Sequence, residues 1–304
     1  MKRRFPTHIL VFLAPAVLIY TVFMIYPLLA SLRFSLLAPA EDGGLRFVGL
    51  GNYATLVTSP QWAPRLWNAL TNNLIFFVIH MLVQNPVGLL LAALLSSRIV
   101  RGKAIYRALI FTPTVLSVVL VGFIWRLILS PLWGISGDFL DALGLGGLNQ
   151  PWLGQESTAL VTLALVSVWQ NIGIPMMLFL AALIGIPDEL LEAARVDGAT
   201  AWGVFWRIRF PLILPTVGIV AVLTFVGNFN AFDLIYSTQK AIAGPNFSTD
   251  IMGTFFFRTF FGFQLQPGNP TMGATIAGVM LLVILMGVLL YFFGYQRRLQ
   301  NIEL

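Results

Sequence analysis

The sequence predicts an all-α polytopic membrane protein: six transmembrane helices, both termini in the cytoplasm, one domain over residues 1–304. Three observations predict it. The chain is 58% hydrophobic and 10% charged, whereas a soluble domain is nearer half apolar and about a quarter charged. Charge-free runs of at least eighteen residues lie at 5–32, 47–64, 66–97, 108–125, 157–187, 210–232 and 259–296. Lys and Arg divide unequally between the two sides that alternating spans define.

A membrane-crossing helix needs about 20 mostly apolar residues. Six of the runs qualify, with spans near 9–36, 69–95, 106–130, 158–185, 211–235 and 270–296. The first apolar run is longer than the core of a secretory signal, about 7–15 residues, and no small-residue cleavage site closes it, so it is expected to be retained. The run FVGLGNYATLVTSPQWAP at 47–64 is rich in Gly, Pro, Ser, Thr and Asn and reads as loop or short interfacial helix. One side of the membrane holds Lys2, Arg3, Arg4, Arg98, Arg101, Lys103, Arg107, Arg195, Arg207, Arg209, Arg297 and Arg298. The other holds Arg33, Arg46, Arg65, Arg126, Lys240 and Arg258. The richer side is assigned to the cytoplasm. Aromatic residues in the outer loops at 37–67, 131–157 and 236–269 are expected to anchor at the membrane interface.

Composition also excludes classes of function. There are no cysteines, hence no disulfide, thiol catalysis or Cys-ligated metal. His8 and His80 fit no metal motif. The net charge of +6 is scattered at span ends, with no basic stripe among aromatics, so nucleic acid is not expected as a partner. The spans hold no Asp or Glu apart from Asp233 at the outer mouth of span five, which speaks against an ion-driven symporter. No catalytic groups converge on an enzyme site. No GxxxxGK[ST] loop occurs; Gly102-Lys103 is followed by Ala104.

The loop between spans four and five is charged and glycine-interrupted, EAARVDGATAWGVFWRIRFPLILP at 192–215. Pro187 suits a first helical turn, and Asp188 and Glu189 complement the positive end of the helix dipole. Gly198 is suited to stop that helix in a left-handed conformation. ATAWGVFWRIRF predicts a second short helix, and Pro211 and Pro215 mark the start of span five. By itself this is a connector or a docking surface.

The string IPDELLEAARVDGATAW closely resembles the coupling loop of binding-protein-dependent ABC importer permeases. Gly198 follows Ala194 after three residues, and Leu214-Pro215 supplies the later LP after an extra Pro211. FVGLGNY at 47–53, RGKAIYRALIFTPTVL at 101–116 and GYQRRLQ at 294–300 resemble the carbohydrate branch, in particular the first permease subunit of the maltose and glycerol-3-phosphate systems. The resemblance implies a maltose-permease-like fold in the bacterial inner membrane, in contact with membrane lipid. It implies no cofactor in this chain, since ATP and Mg would be bound by a partner ATPase. The implied partners are a second permease subunit, two ATPase copies and a solute-binding protein. It implies that Glu192, Ala193, Ala194, Asp197 and Gly198 couple the permease to the ATPase.

Polar residues inside spans need partners, because an unsatisfied group in hydrocarbon costs several kcal/mol. They cluster as Thr112, Thr114 and Ser117; Trp169, Gln170 and Asn171; and Thr224, Asn228 and Asn230. At 1.5 Å per residue, Thr224 lies about 20 Å and Asn228 about 26 Å beyond Pro211, past the bilayer midplane. Two readings stand: hydrogen bonds that hold helices together, or groups that line a solute path. Resemblance to the maltose permease places sugar contacts near Thr114, Gln170, Asn171, Thr224 and Asn228. Ile174 and Ala231 stand where that protein has Tyr and Asn, which argues against a maltose-size site and points to a smaller or different polar solute. His80, Gln84 and Asn85 in span two are expected to pack and to kink the helix near Pro86. The function expected is permease subunit of an ABC importer for a sugar, polyol or sugar-derived solute. The alternatives are another solute, such as a glycerophosphate or an amino acid, or a stand-alone secondary transporter.

Overall fold

The structure, a computed structural model, describes residues 7–97, 100–264 and 266–296. Lys2, Arg3, Arg4, Arg98, Arg297 and Arg298 of the charge comparison lie outside the described residues, as does the end of the GYQRRLQ tail. Helices α1 (Thr7–Tyr20) and α2 (Tyr26–Ser35) lead to a hairpin of β1 (Leu37–Pro39) and β2 (Leu45–Phe47). There follow α3 (Gly51–Thr58), α4 (Ala63–Ile79), α5 (Asn85–Ser96), α6 (Lys103–Val115), α7 (Val118–Ile128) and α8 (Ser136–Ala142). Then come α9 (Glu156–Asn171), α10 (Gly173–Ile184), α11 (Asp188–Val196), α12 (Ala201–Val204) and α13 (Phe210–Phe229). The last helices are α14 (Asp233–Gln239), α15 (Met252–Phe261) and α16 (Pro270–Leu290). The run at 47–64, expected to be loop or short helix, holds α3.

Among the described residues four helical stretches are long and apolar enough to cross a membrane: Val11–Ser35, Ala63–Ser96, Ala201–Ile242 and Pro270–Gly294. Two bent pairs, α6 with α7 and α9 with α10, bring the number to six if each is one span.

Prolines write a repeated irregularity into these spans. Five-residue π turns occupy Thr21–Ile25, His80–Gln84 and Phe205–Arg209, each followed two residues later by Pro27, Pro86 or Pro211. A proline ring clashes with the carbonyl four residues back and offers no N–H to it. The residue before each proline bonds one position further back instead: Tyr26 to Thr21, Asn85 to His80, Phe210 to Phe205. The wider turn makes room for the ring while the helix continues. The expected kink near Pro86 therefore takes the form of a π turn. Pro211 and Pro215 do not open a new helix either. The short helix expected after Gly198 runs through α12 and the π turn into α13.

Two span boundaries differ from the sequence expectation. The stretch 106–130 is not one helix, because α6 and α7 meet at 97°. Pro113 removes a backbone donor near the end of α6, and Leu116 and Ser117 are extended (ψ 143° and 130°) before α7 begins. The stretch 211–235 ends early. Asn230 leaves the helix at φ −93°, ψ 0°, and α14 starts separately at Asp233. The bend between α9 and α10 is 45°. Pro175 gives no N–H to the Asn171 carbonyl, and Gly173 sits where a Cβ would come within 2.9 Å of Phe111 Cα.

Contacts divide the chain into two compact units, one of Met1–Leu66 with Phe255–Leu281, the other of Trp67–Thr254 with Leu282–Leu304. In the first, Asn52 Nδ2 donates to the Ser35 and Leu37 carbonyls at 2.9 and 2.7 Å and ties α3 to the hairpin. In the second, α5 packs along α10 and α7 along α14. A buried core of Ala92, Leu95, Met176, Phe179, Leu180, Leu183, Ile213 and Val220 fills the space between α5, α10 and α13.

Candidate functional site

The second unit carries an open-sided cavity of about 400 Å³, within the range of small-molecule sites, about 300–1,000 Å³. Its wall comes from α4, the π turn at His80–Gln84, α9, α10, α13 and the start of α14. Gln170, Asn171, Thr224 and Asn228, taken from sequence as path residues, all line it, as do Ile174 and Ala231. Helical spacing brings them together: Thr224 and Asn228 lie one turn apart on α13, and Gln170 and Asn171 end α9 just before the bend.

Thr114 does not line the cavity. Its hydroxyl donates to the Gln170 carbonyl at 2.9 Å, one layer behind the wall. Thr112 is exposed and bonds back to the Ala108 carbonyl at 2.7 Å, and Ser117 sits at the N-cap of α7. Asn230 reaches the cavity edge from outside the helix.

The wall is braced by hydrogen bonds. Thr224 Oγ1 donates to the Val220 carbonyl at 2.8 Å and meets Asn85 Nδ2 at 3.2 Å. Asn228 Nδ2 donates to the Thr224 carbonyl at 2.7 Å, and the Asn228 carbonyl accepts from Asn73 Nδ2 at 2.9 Å. Asn73 is fully buried, and its Oδ1 accepts from the Met252 N–H at 2.8 Å, so it joins α4, α13 and the start of α15. Asn171 Nδ2 donates to the Ser167 carbonyl at 3.0 Å, and Gln170 Nε2 to the Leu116 carbonyl at 3.2 Å. Each amide thus spends an N–H on the backbone and retains its carbonyl oxygen and at most one further N–H.

Sequence reasoning placed His80 and Gln84 in packing, and both line the cavity. His80 Nδ1 lies 2.8 Å from the Phe76 carbonyl, which can only accept, so Nδ1 carries a proton. Its Nε2 faces Ser167 Oγ at 3.1 Å. Gln84 Oε1 is buried with no partner among the described residues. Neither position carries a signal beyond a polar side chain in an apolar span; a π turn of α4–α5 aims them.

The loop between α10 and α13 has the expected cap. Gly198 takes φ +79°. Its N–H donates to the Arg195 carbonyl at 3.0 Å, and the Ala199 N–H to the Ala194 carbonyl at 2.9 Å, which is the Schellman arrangement. Thr200 Oγ1 accepts from the Gly203 N–H at 3.2 Å and starts α12. Glu192, Ala193, Asp197 and Gly198 are exposed. Ala194 is not. With Leu191 and Val204 it turns into the core against Leu95, Leu183 and Ile186. Apolar side chains also lie open on this loop, with Val196 at 87% and Trp202 at 73% exposure.

Residues 84–299 match the family described as "Binding-protein-dependent transport system inner membrane component". The chain belongs to this family. Among similar proteins, the lactose transport system permease protein LacF of Rhizobium radiobacter is 30% identical over 298 residues, covering 98% of this chain and 97% of the relative. The arabinooligosaccharides transport system permease protein AraP of Bacillus subtilis (strain 168) is 32% identical over 277 residues, covering 90% and 84%. A crystal structure of a bacterial ABC transporter involved in the import of the acidic polysaccharide alginate contains a chain of the same fold, with TM-score 0.73 and 24% identity over 94% of this chain and 95% of that one. The protein is thus a multi-pass membrane permease component with the ABC importer permease fold. The matched region takes in the cavity from Gln84 onward and the whole α11–α12 loop.

Proposed function

We propose that this permease forms half of the path for a sugar, polyol or sugar-derived solute, in an ATP-driven importer of the bacterial inner membrane. The observation that carries the solute class is the cavity wall: amide and hydroxyl groups from Gln170, Asn171, Thr224 and Asn228, set among apolar side chains. Sugar hydroxyls donate as well as accept, and side-chain amides and hydroxyls match both roles. The lactose and arabinooligosaccharide names of the relatives support the same class. Thr114 takes a supporting role, since its hydroxyl braces the Gln170 backbone.

In this reading both termini and the α11–α12 loop face the cytoplasm. The loop presents Glu192, Ala193, Asp197 and Gly198 to an ATPase subunit, which binds ATP and Mg. A solute-binding protein delivers solute to the other face, and a second permease subunit completes the path. The test is reconstitution of this chain with its neighbouring-gene partners in proteoliposomes. Uptake of a sugar should require the binding protein, the ATPase and ATP together. Uptake of an amino acid or glycerophosphate under the same conditions would replace the sugar class, and uptake without ATPase would replace the importer reading by a stand-alone carrier.

A further inference from the structure

We infer that Asp233 is a charge filter on the solute cavity, which admits neutral and amino-bearing sugars and turns away uronates and other anionic sugars. This rests on the sugar reading above and narrows its solute class. Two independent observations carry it.

The first is charge. Among the described residues that line the cavity, Asp233 is the one carboxylate, and no Lys or Arg is present. Asp233 is exposed at the start of α14 and makes no ion pair with a described residue. His80, the other titratable group in the wall, has both ring nitrogens engaged, by the Phe76 carbonyl and Ser167 Oγ. A solute carboxylate against this wall would meet a like charge and no counter-charge from this subunit, in a cleft where low-dielectric walls strengthen the field.

The second is hydrogen-bond polarity. Asn228, Asn171 and Gln170 turn amide nitrogens to the Thr224, Ser167 and Leu116 carbonyls, and Thr224 gives its hydroxyl proton to the Val220 carbonyl. What each amide retains is its carbonyl oxygen, with two lone pairs, and at most one N–H, so acceptor capacity outweighs donor capacity in this wall. Hydroxyl and ammonium groups can donate to such a wall, whereas a carboxylate can only accept.

Asp233 also lies in the first turn of α14, where a carboxylate favours the helix end. Asp233 is the first residue of α14, with Phe232 at the N-cap, so Asp233→Asn keeps the side-chain shape and loses only the charge and its interaction with the helix dipole. The assembled transporter, purified in detergent, is to be examined by saturation-transfer difference NMR with lactose, di-glucosamine and di-galacturonate. The wild type should bind the first two and discriminate against di-galacturonate. Asp233→Asn should narrow that discrimination about tenfold, the factor that 1.4 kcal/mol of charge repulsion represents. Asp233→Glu should retain it, and raising NaCl should weaken it in the wild type alone. Equal binding of di-galacturonate and lactose by the wild type overturns the filter, as does an Asp233→Asn variant with unchanged discrimination. Binding of none of the three by any variant overturns the sugar reading itself.

Discussion

Gln170 Nε2 donates to the Leu116 carbonyl at 3.2 Å across the break between α6 and α7. An irregular backbone at membrane depth persists only where protein or a cavity satisfies its polar groups. A second bond ties the same residue to α6, because the Gln170 carbonyl accepts the Thr114 hydroxyl. Gln170 is therefore structural as well as cavity-lining. Gln170→Leu should lower stability by about 1–3 kcal/mol through the unsatisfied Leu116 carbonyl, seen as a lower melting temperature of the detergent-solubilised complex. Unchanged melting would remove the bracing role.

Asn228 behaves differently. Its side-chain donor returns to the Thr224 carbonyl of its own helix, and its main chain is what Asn73 holds. Asn228→Leu should leave assembly, melting temperature and basal ATPase activity close to wild type, while uptake falls or changes its solute preference. Lost yield with unchanged preference among related sugars would mean that Asn228 only packs.

Gly198 at φ +79° has open space around its Cα, so a side chain there meets strain but no clash. A non-glycine residue in the left-handed region costs about 1–2 kcal/mol, and a β-branched one is a marked outlier. Gly198→Val should insert into the membrane at normal levels yet lose uptake, because the Schellman turn positions α11. Uptake at the wild-type rate in cells with normal membrane levels would sink the coupling assignment.

Glu192 is exposed on the same turn of α11 that buries Leu191. Glu192→Lys should not disturb the fold of the subunit. It should weaken ATPase association or uncouple hydrolysis, read as a loss of stimulation by the solute-loaded binding protein. Full assembly with full stimulation would show that Glu192 touches nothing.

Gln84 Oε1 is a buried acceptor without a partner among the described residues. Such a group costs about 1–3 kcal/mol, and an apolar replacement of similar shape is neutral or stabilising. Gln84→Met should keep or raise the melting temperature of the solute-free complex. A drop of several degrees would reveal a partner, such as an ordered water, for this oxygen.

Much of this was legible in order along the chain. Charge-free run lengths mark the spans, because hydrocarbon excludes ions over a fixed thickness. Gly198 and the acidic first turn of α11 mark the loop helix, because caps are local physics. The cavity-lining residues Gln170, Asn171, Thr224 and Asn228 stand out as polar groups in apolar runs, since such groups must have partners; the pattern alone left helix bracing and a solute path open, and the resemblance supplied the path reading.

The sequence by itself determined which segments enter the membrane and which polar residues must be satisfied there. Only the tertiary structure decided how. It broke α6 from α7 because Gln170, fifty-four residues on, can cap the exposed carbonyl. It moved Thr114 behind the wall, turned Ala194 into the core, and brought His80 and Gln84 to the cavity through a π turn. Hydropathy is a property of a window of sequence. Which face a side chain presents depends on local bends, such as the 97° break between α6 and α7, and on partners far along the chain, and no window contains those.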